Sequence, residues 1–92
     1  MKKIPQKKIE NLLSRIPLWR QMDDKLVRTY EFKDFPTGIT FIDRVALVAE
    51  EMNHHPDITI RYTKIKFVLT THSEKMLTEN DFILAAKVDE IK

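Results

Sequence analysis

The sequence predicts an α+β fold in which a four-stranded antiparallel sheet carries three helices packed on one face. Two pairs of segments alternate apolar and polar residues with a period of two, as the strands of β-hairpins do. Three other segments repeat apolar residues at helical spacing, and they fall before, between and after the two hairpins. The predicted order is therefore α-β-β-α-β-β-α. Because antiparallel sheets often bury a single face, the other face is left to solvent or to another subunit.

The first helix is expected over residues 5–15. Pro5 can occupy its first turn, and Pro17 prevents it from continuing. Its apolar positions recur at helical spacing and are Ile9, Leu12, Leu13 and Ile16. The segment has basic residues but no apolar core behind them, so it is not expected to be a signal peptide.

The first hairpin is expected to join a strand over 18–22 to a strand over 25–32 through a turn at Asp23 and Asp24. Alternation in the second strand places Leu26, Tyr30 and Phe32 on one face, and Val27, Thr29 and Glu31 on the other. This strand is therefore predicted to have two chemically different faces.

The strongest helix of the chain is predicted over residues 38–53. The segment 34–38 is predicted to be a break before it. His54-His55-Pro56 ends the helix, because a residue that precedes proline avoids helical geometry. The buried stripe of the helix is expected to comprise Ile42, Val45, Ala46, Ala49 and Met52.

The second hairpin is expected to join strands over 58–62 and 65–72. Thr78, followed by Asp81, resembles a helix N-cap and its partner three residues on. A third helix is therefore expected to begin there and to run to about residue 91. Its apolar part holds Phe82, Ile83, Ala85, Ala86 and Val88.

Composition restricts the classes of function. With 92 residues, of which 42% are hydrophobic and 33% charged, the chain is expected to be one soluble globular domain over 1–92. It has no cysteine, which excludes disulfides, thiolate zinc sites and cysteine nucleophiles. Because Gly38 is the only glycine, a glycine-rich phosphate cradle is excluded. The formal charge of +2 is too small to indicate binding to nucleic acid, and the one basic cluster is best explained as a solvated helix face, at Lys2, Lys3, Lys7 and Lys8.

Hydropathy and size give further expectations. No apolar run approaches the roughly 18–20 residues that a membrane span requires, so no membrane contact is expected. The absence of cysteine fits a cytoplasmic protein. A chain this short buries only about 60–65% of its unfolded surface, so a homodimer or homotetramer is expected. Unpaired sheet edges can join subunits, and the strands over 18–22 and 25–32 are the candidate edges.

All three histidines of the chain fall at the ends of predicted elements. His54 and His55 follow the central helix, and His72 ends the last predicted strand. Histidine is the side chain best suited to proton transfer near neutral pH. Glu50, four residues before His54, is a candidate to orient that histidine, and Asp81 is a candidate to orient His72.

Spacing alone leaves several interpretations open for these histidines. Adjacent histidines can reflect only the collection of polar residues at element ends. A three-histidine zinc site is a second interpretation, although side chains of adjacent residues tend to diverge. A serine triad is poorly supported, because no serine stands in a glycine-flanked elbow.

A longer sequence pattern makes the interpretation of these histidines more specific. It contains an acidic residue, three further positions, a His-His-Pro triplet, an aromatic residue, a Thr-His pair and two motifs at the last helix start. In this sequence these are Glu50, His54-His55-Pro56, Tyr62, Thr71-His72, Leu77-Thr78-Glu79 and Asp81-Phe82. The pattern resembles the signature of the pterin-4a-carbinolamine dehydratase family, and the resemblance extends over the chain from about Leu12.

Two positions depart from that family pattern. Ile58 stands where many members carry an aromatic residue, so a pterin would pack there on an aliphatic wall. Between His72 and Leu77 the family often has a small, glycine-containing turn. This chain has the bulkier, charged Ser73-Glu74-Lys75-Met76, which would narrow the pocket or reshape its rim.

The resemblance implies a lyase of tetrahydrobiopterin recycling that needs no metal and no cofactor. Its substrate would be 4a-hydroxytetrahydrobiopterin, and its products quinonoid dihydropterin and water. Acid/base work is implied for His54 and His72, and binding of the pterin for His55, with the three histidines converging on one cleft. Glu50 and Asp81 would orient the histidines, and Pro56 would fix the backbone where the histidine pair leaves the helix.

The resemblance also implies an alternative of a different class. Some family members serve as dimerisation cofactors that bind a transcription factor through a helix, without direct contact to nucleic acid. A scaffold of that kind does not need histidines. The complete set of His54, His55 and His72 therefore favours the enzyme.

Overall fold

The computed structural model describes residues 3–91 and confirms the predicted order of elements. The helices are α1 (Gln6–Leu13), α2 (Phe35–Met52) and α3 (Glu79–Glu90), and the strands are β1 (Arg20–Met22), β2 (Lys25–Glu31), β3 (Asp57–Arg61) and β4 (Lys64–Leu69). The antiparallel sheet has the order β1-β2-β4-β3. Within residues 3–91, no helix combines the length and the apolar character needed to cross a membrane. Lys2 of the predicted basic cluster lies outside the described residues.

One face of the sheet carries the hydrophobic core. Alternate side chains of the two central strands point into it, and each is at most 1% exposed: Leu26, Ile65, Phe67 and Leu69. Helices α2 and α3 pack over these side chains through Val45 and Leu84, which are fully buried. The prediction for the two faces of β2 is confirmed for Thr29 and Glu31, which are exposed on the opposite face, whereas Val27 on that face is buried.

Helix α2 begins at Phe35, three residues before the predicted start, so the prediction of a break over 34–38 is wrong. The carboxylate of Asp34 accepts a hydrogen bond from the backbone N–H of Thr37 at 2.9 Å, which caps the helix. Hydrogen bonding to Thr37 also lowers the pKa of Asp34. Pro36 is tolerated in the first turn, because its missing N–H is not needed there.

Gly38 lies inside α2, where the helix approaches β4 closely. A Cβ at this position would stand 2.8 Å from Cδ1 of Ile65 and 3.3 Å from Cδ2 of Phe32. Ile65 is 1% exposed and packed on all sides, so it cannot move aside freely. The close approach explains why a residue that weakens helices is accommodated here.

Gly38→Ala is therefore expected to destabilise the protein. Overpacking of a core costs about 1–3 kcal/mol, which exceeds the roughly 0.5–1 kcal/mol that alanine gains over glycine in a helix. Denaturant unfolding measures the change. The same substitution made in an Ile65→Val background, where Cδ1 is missing, should cost less than in the wild type. A Gly38→Ala protein that is more stable than the wild type would contradict the argument.

Two burial predictions for the helices are wrong. The stripe of α2 that meets the sheet follows Gly38, Phe41, Val45 and Ala49, which leaves Ala46 beyond its edge and exposed. In α3, Ile83 is 45% exposed, whereas Leu84 is fully buried. In both helices an apolar residue lies beside the buried stripe. The pattern of apolar residues alone therefore does not determine which face of the helix is turned toward the core.

Strand bounds and edges also differ from the predictions. β1 begins at Arg20, and β4 ends at Leu69, so His72 lies in a turn three residues beyond the strand rather than at its end. β2 pairs with β1 on one side and with β4 on the other, so the prediction that 25–32 is an edge is wrong. The edges of the sheet are β1 and β3.

The carboxyl-terminal turn of α3 is tied to the sheet by one carboxylate. Oδ1 of Asp89 accepts hydrogen bonds from Trp19 Nε1 at 2.9 Å, from Arg28 Nη1 at 2.6 Å and from the Tyr30 hydroxyl at 2.5 Å. Burial of Tyr30, followed by this bond to Asp89, raises the pKa of the phenol. Three donors offset the unfavourable position of an acid at a helix carboxyl end.

Candidate active site

The end of α2 sets the directions of the first two histidines. Asn53 has a left-handed backbone with φ of 51°, and the backbone N–H of His54 donates to the carbonyl oxygen of Ala49 at 3.0 Å. The chain therefore turns sharply before Pro56 and β3. The side chain of His54 is 11% exposed and that of His55 is 56% exposed, so the adjacent rings enter different environments.

His54 pairs with a fully buried carboxylate at the start of α3. Its Nε2 lies 2.5 Å from Oδ1 of Asp81, whose side chain is 0% exposed. Oδ2 of the same carboxylate accepts the backbone N–H of Thr78 and the hydroxyl of Thr71, each at 2.9 Å. Because Asp81 acts as an acceptor throughout, we assign a proton to Nε2 of His54, which leaves the lone pair on Nδ1.

Two threonines complete this buried network. The Thr71 hydroxyl gives its only proton to Asp81, so the bond of 2.7 Å between the two threonine hydroxyls must be donated by Thr78. The backbone bond from Thr78 to the Asp81 side chain confirms the predicted relation of N-cap and partner. In the described residues, no buried side-chain nitrogen or oxygen lacks a hydrogen-bond partner. The network therefore holds the carboxylate, and with it the ring of His54, in one orientation.

His55 lies at the surface with a different acid. Its Nε2 is 2.8 Å from Oε1 of Glu50, and the Glu50 side chain is 74% exposed. The predicted pairing of acids and histidines is therefore wrong in both cases: Glu50 meets His55 rather than His54, and Asp81 meets His54 rather than His72. The cause is the end of the helix at Met52, because the spacing argument for Glu50 assumed that helical geometry continues to His54.

His72 stands in the turn that follows β4. Its Nε2 lies 3.8 Å from Oδ2 of Asp57, the first residue of β3, and both side chains are more than 60% exposed. Since β3 follows directly on the histidine pair, this contact places His72 at the same end of the sheet as His54 and His55. His72 also lines an open cavity of about 280 Å³ with Thr70 and Lys25.

The remaining predicted site residues lie between these groups. Pro56 is half-buried in the link from α2 to β3, and Ile58 is half-buried and packs against the core beside Phe67, its partner on β4. Sequence reasoning missed the contacts of Thr71 and Asp57 with the site. Both residues are adjacent to predicted site residues, but nothing in the pattern distinguishes a buried threonine from an exposed one. Within residues 3–91, no three His, Asp or Glu side chains are grouped as ligands of one metal ion.

Comparison with known proteins gives consistent similarities over nearly the whole chain. The family model described as pterin 4 alpha carbinolamine dehydratase matches residues 2–91. A protein of Thermomicrobium roseum, provisionally named a pterin-4-alpha-carbinolamine dehydratase, is 47% identical over 91 residues, which cover 99% of this chain and 98% of that protein. A protein of Sulfolobus acidocaldarius with the same provisional name is 37% identical over 90 residues, which cover 98% and 99% respectively.

Two solved structures share the fold. A crystal structure described as a transcriptional coactivator/pterin dehydratase from Brucella melitensis has a TM-score of 0.91 and 30% identity, and the match covers 96% of both chains. A pterin dehydratase-like protein described as a RuBisCO assembly factor in the alpha-carboxysome has a TM-score of 0.65 and 27% identity, over 77% of this chain and 84% of that chain.

Proposed function

Because this chain belongs to the pterin-4a-carbinolamine dehydratase family, we propose that it dehydrates 4a-hydroxytetrahydropterins, as in the recycling of tetrahydrobiopterin. The hydroxyl group leaves C4a with an added proton, N5 loses its proton, and a double bond forms between C4a and N5. The products are a quinonoid dihydropterin and water. The observation that carries the proposal is the imidazole of His54, held by a buried carboxylate with one nitrogen free for proton transfer.

His54 acts as the base in this proposal. Its Nε2 proton is held by Asp81, so the lone pair of Nδ1 is the one available to accept the proton from N5. The carboxylate then stabilises the imidazolium that forms, because opposite charges attract strongly where water is excluded. No additional reagent is required, since the N5 electron pair itself expels the leaving group.

His72 acts as the acid. Its imidazole is 63% exposed, and its Nε2 stands 3.8 Å from Oδ2 of the Asp57 carboxylate. The protonated ring donates to the departing hydroxyl group. After release of the product, His72 regains a proton from solvent, and His54 releases to solvent the proton that it took from N5. Both residues are then ready for another turnover without a cofactor or metal.

The other proposed site residues bind the pterin and shape its pocket. His55, supported by Glu50, contacts the pterin from the end of α2, and Pro56 fixes the backbone between the two histidine-bearing segments. Ile58 offers an aliphatic wall for the ring. In this proposal residues 1–92 form a single dehydratase domain that works in the cytoplasm.

His55→Ala is expected to raise the Michaelis constant more than it lowers turnover. A residue that binds ground state and transition state alike affects the Michaelis constant alone. Initial rates over a range of 4a-hydroxytetrahydropterin concentrations separate the two constants. The matched control is Glu50→Gln, which leaves the imidazole in place and should produce a smaller shift of the same kind. A large loss of turnover at unchanged Michaelis constant would assign His55 to the chemistry instead.

The function itself is tested by following loss of the carbinolamine absorbance. The 4a-hydroxytetrahydropterin is generated in solution, and the purified protein should accelerate its dehydration in proportion to protein concentration. Prior treatment with a strong chelator should leave the rate unchanged. A rate that equals the uncatalysed dehydration would overturn the proposal.

We further propose a homo-oligomer joined through the sheet edges β1 and β3. Exposed apolar side chains lie at both edges: Met22 is 50% exposed on β1, and Ile60 is 44% exposed on β3. An unpaired edge of this kind adds a strand readily. Light scattering at micromolar concentration should give a multiple of the chain mass of 10.9 kDa. A single-chain mass that persists on concentration would contradict the proposal.

The alternative is a dimerisation cofactor or scaffold that binds a transcription factor. Its support is the description of related structures as a transcriptional coactivator and as an assembly factor. A scaffold gains nothing from a buried Asp81 that orients His54, so the dehydratase remains the better explanation. If the scaffold were correct, binding of a partner would survive the loss of both His54 and His72.

A further inference from the structure

The turn that departs from the family pattern forms one wall of the cavity beside His72. A backbone bond of 3.1 Å from the Thr71 N–H to the Met76 carbonyl closes this loop, and Lys75 inside it has a left-handed φ of 51°. The cavity, of about 280 Å³, is lined by Asp24, Lys25, Thr70, His72 and Lys75. The loop therefore brings a lysine that follows β4 to the same cavity as a lysine that begins β2.

The charges around this cavity do not balance. Lys25 and Lys75 face one carboxylate, that of Asp24. Among the ion pairs of residues 3–91, none involves either lysine. Thr70 is not an additional donor, since its hydroxyl already donates to the backbone carbonyl of Asp24 at 2.7 Å. The residues that line the cavity therefore carry a net positive charge, and Asp57, the acid that contacts His72, is not among them.

We propose that this cavity binds an anionic group, a carboxylate or a phosphate, carried on the side chain of the pterin. The inference rests on the proposed function, because it requires the pterin ring to stand against His72. A ring substituent that extends past His72 meets Lys25 and Lys75, and a negative charge on it satisfies both ammonium groups. The enzyme then prefers pterins with an acidic substituent over pterins with a neutral one.

Binding of stable aromatic pterins tests this preference without turnover. Quenching of pterin fluorescence gives dissociation constants for 6-hydroxymethylpterin, which is neutral, for 6-carboxypterin and for 6-hydroxymethylpterin phosphate. We expect at least one anionic pterin to bind about fivefold to tenfold more tightly than the neutral one, as for charge pairs at a partly exposed site. The ratio should fall as salt is raised. Tighter binding of the phosphate or of the carboxylate identifies the anion.

A pair of double variants decides whether the two lysines cause the preference. Lys25→Gln with Lys75→Gln should remove it and leave the affinity for 6-hydroxymethylpterin unchanged. Lys64→Gln with Lys66→Gln makes the same change of charge on exposed positions of β4 and should retain it. If the loop does not tolerate the change at Lys75, Lys25→Gln alone should remove part of the preference. Equal affinities for all three pterins, or an equal loss in the control, would overturn the inference alone, whereas no binding of any pterin would overturn the proposed function with it.

Discussion

Replacement of both His54 and His72 by alanine is expected to abolish nearly all turnover. The proposed reaction moves one proton to the leaving oxygen and one from N5, and these two imidazoles carry both transfers. Positioned acids or bases typically contribute about 10²–10⁴-fold each, so the single variants should be slow and the double variant close to the uncatalysed rate. Steady-state decay of the carbinolamine absorbance measures all three.

A folding control is required because His54 supports a buried charge. His54→Ala leaves Oδ1 of Asp81 without its donor, which costs stability as well as chemistry. His54→Gln keeps an N–H group in reach of the carboxylate but offers no base, so it should fold normally and remain slow. Turnover at the wild-type rate in a folded double variant would remove the acid/base assignment.

Asp81→Asn is expected to lower turnover by roughly 10²-fold or more, as carboxylate-to-amide changes behind a catalytic histidine do. The backbone N–H of Thr78 and the hydroxyl of Thr71 both require an acceptor, so the amide oxygen will take the place of Oδ2. The amide nitrogen then faces His54 and donates to Nε2. The proton of the neutral imidazole moves to Nδ1, and the nitrogen proposed as the base is blocked.

Nitrogen NMR of the His54 ring distinguishes this effect from simple loss of stability, because it reports which nitrogen carries the proton. Asp89→Asn is the matched control: it also changes a carboxylate that ties α3 to the sheet, but at the other end of the helix from Asp81. It should weaken folding and leave turnover per folded molecule unchanged. A proton that stays on Nε2 in Asp81→Asn, with turnover retained, would contradict the assignment.

The periodicity of the sequence was sufficient for the elements and for one detail of the site. Alternation in β2 and the motif at Thr78 and Asp81 depend on neighbours in sequence, and both are confirmed. The order of the strands was not predictable in this way, because an alternating strand has the same pattern at an edge and in the centre. β2 lies inside the sheet because β4, which follows α2 in the sequence, pairs with its free edge.

The predicted pairing of acids with histidines was wrong for a related reason. A spacing of four residues brings Glu50 toward His54 only while the helix continues. The left-handed backbone at Asn53 ends the helix. This end could not be predicted from the sequence, because asparagine is one of several polar residues that can either continue or stop a helix. Burial of Thr71 likewise depends on α3 docking over the end of β4, which no local pattern contains.

The central pairing of β2 with β4 also has a consequence for how quickly the site can assemble. Each hairpin closes a short loop, but Glu31 and Lys64 meet only after the whole of α2 has been enclosed. Entropy makes such distant closures slow, so the chain is expected to form two separate hairpins first. The network of Asp81 and His54 joins the last helix to the end of α2 and is therefore absent from that early species. In stopped-flow refolding, pterin binding should therefore recover after the circular dichroism of the hairpins has appeared, and together with the fluorescence change of Trp19, whose indole donates to Asp89 of α3.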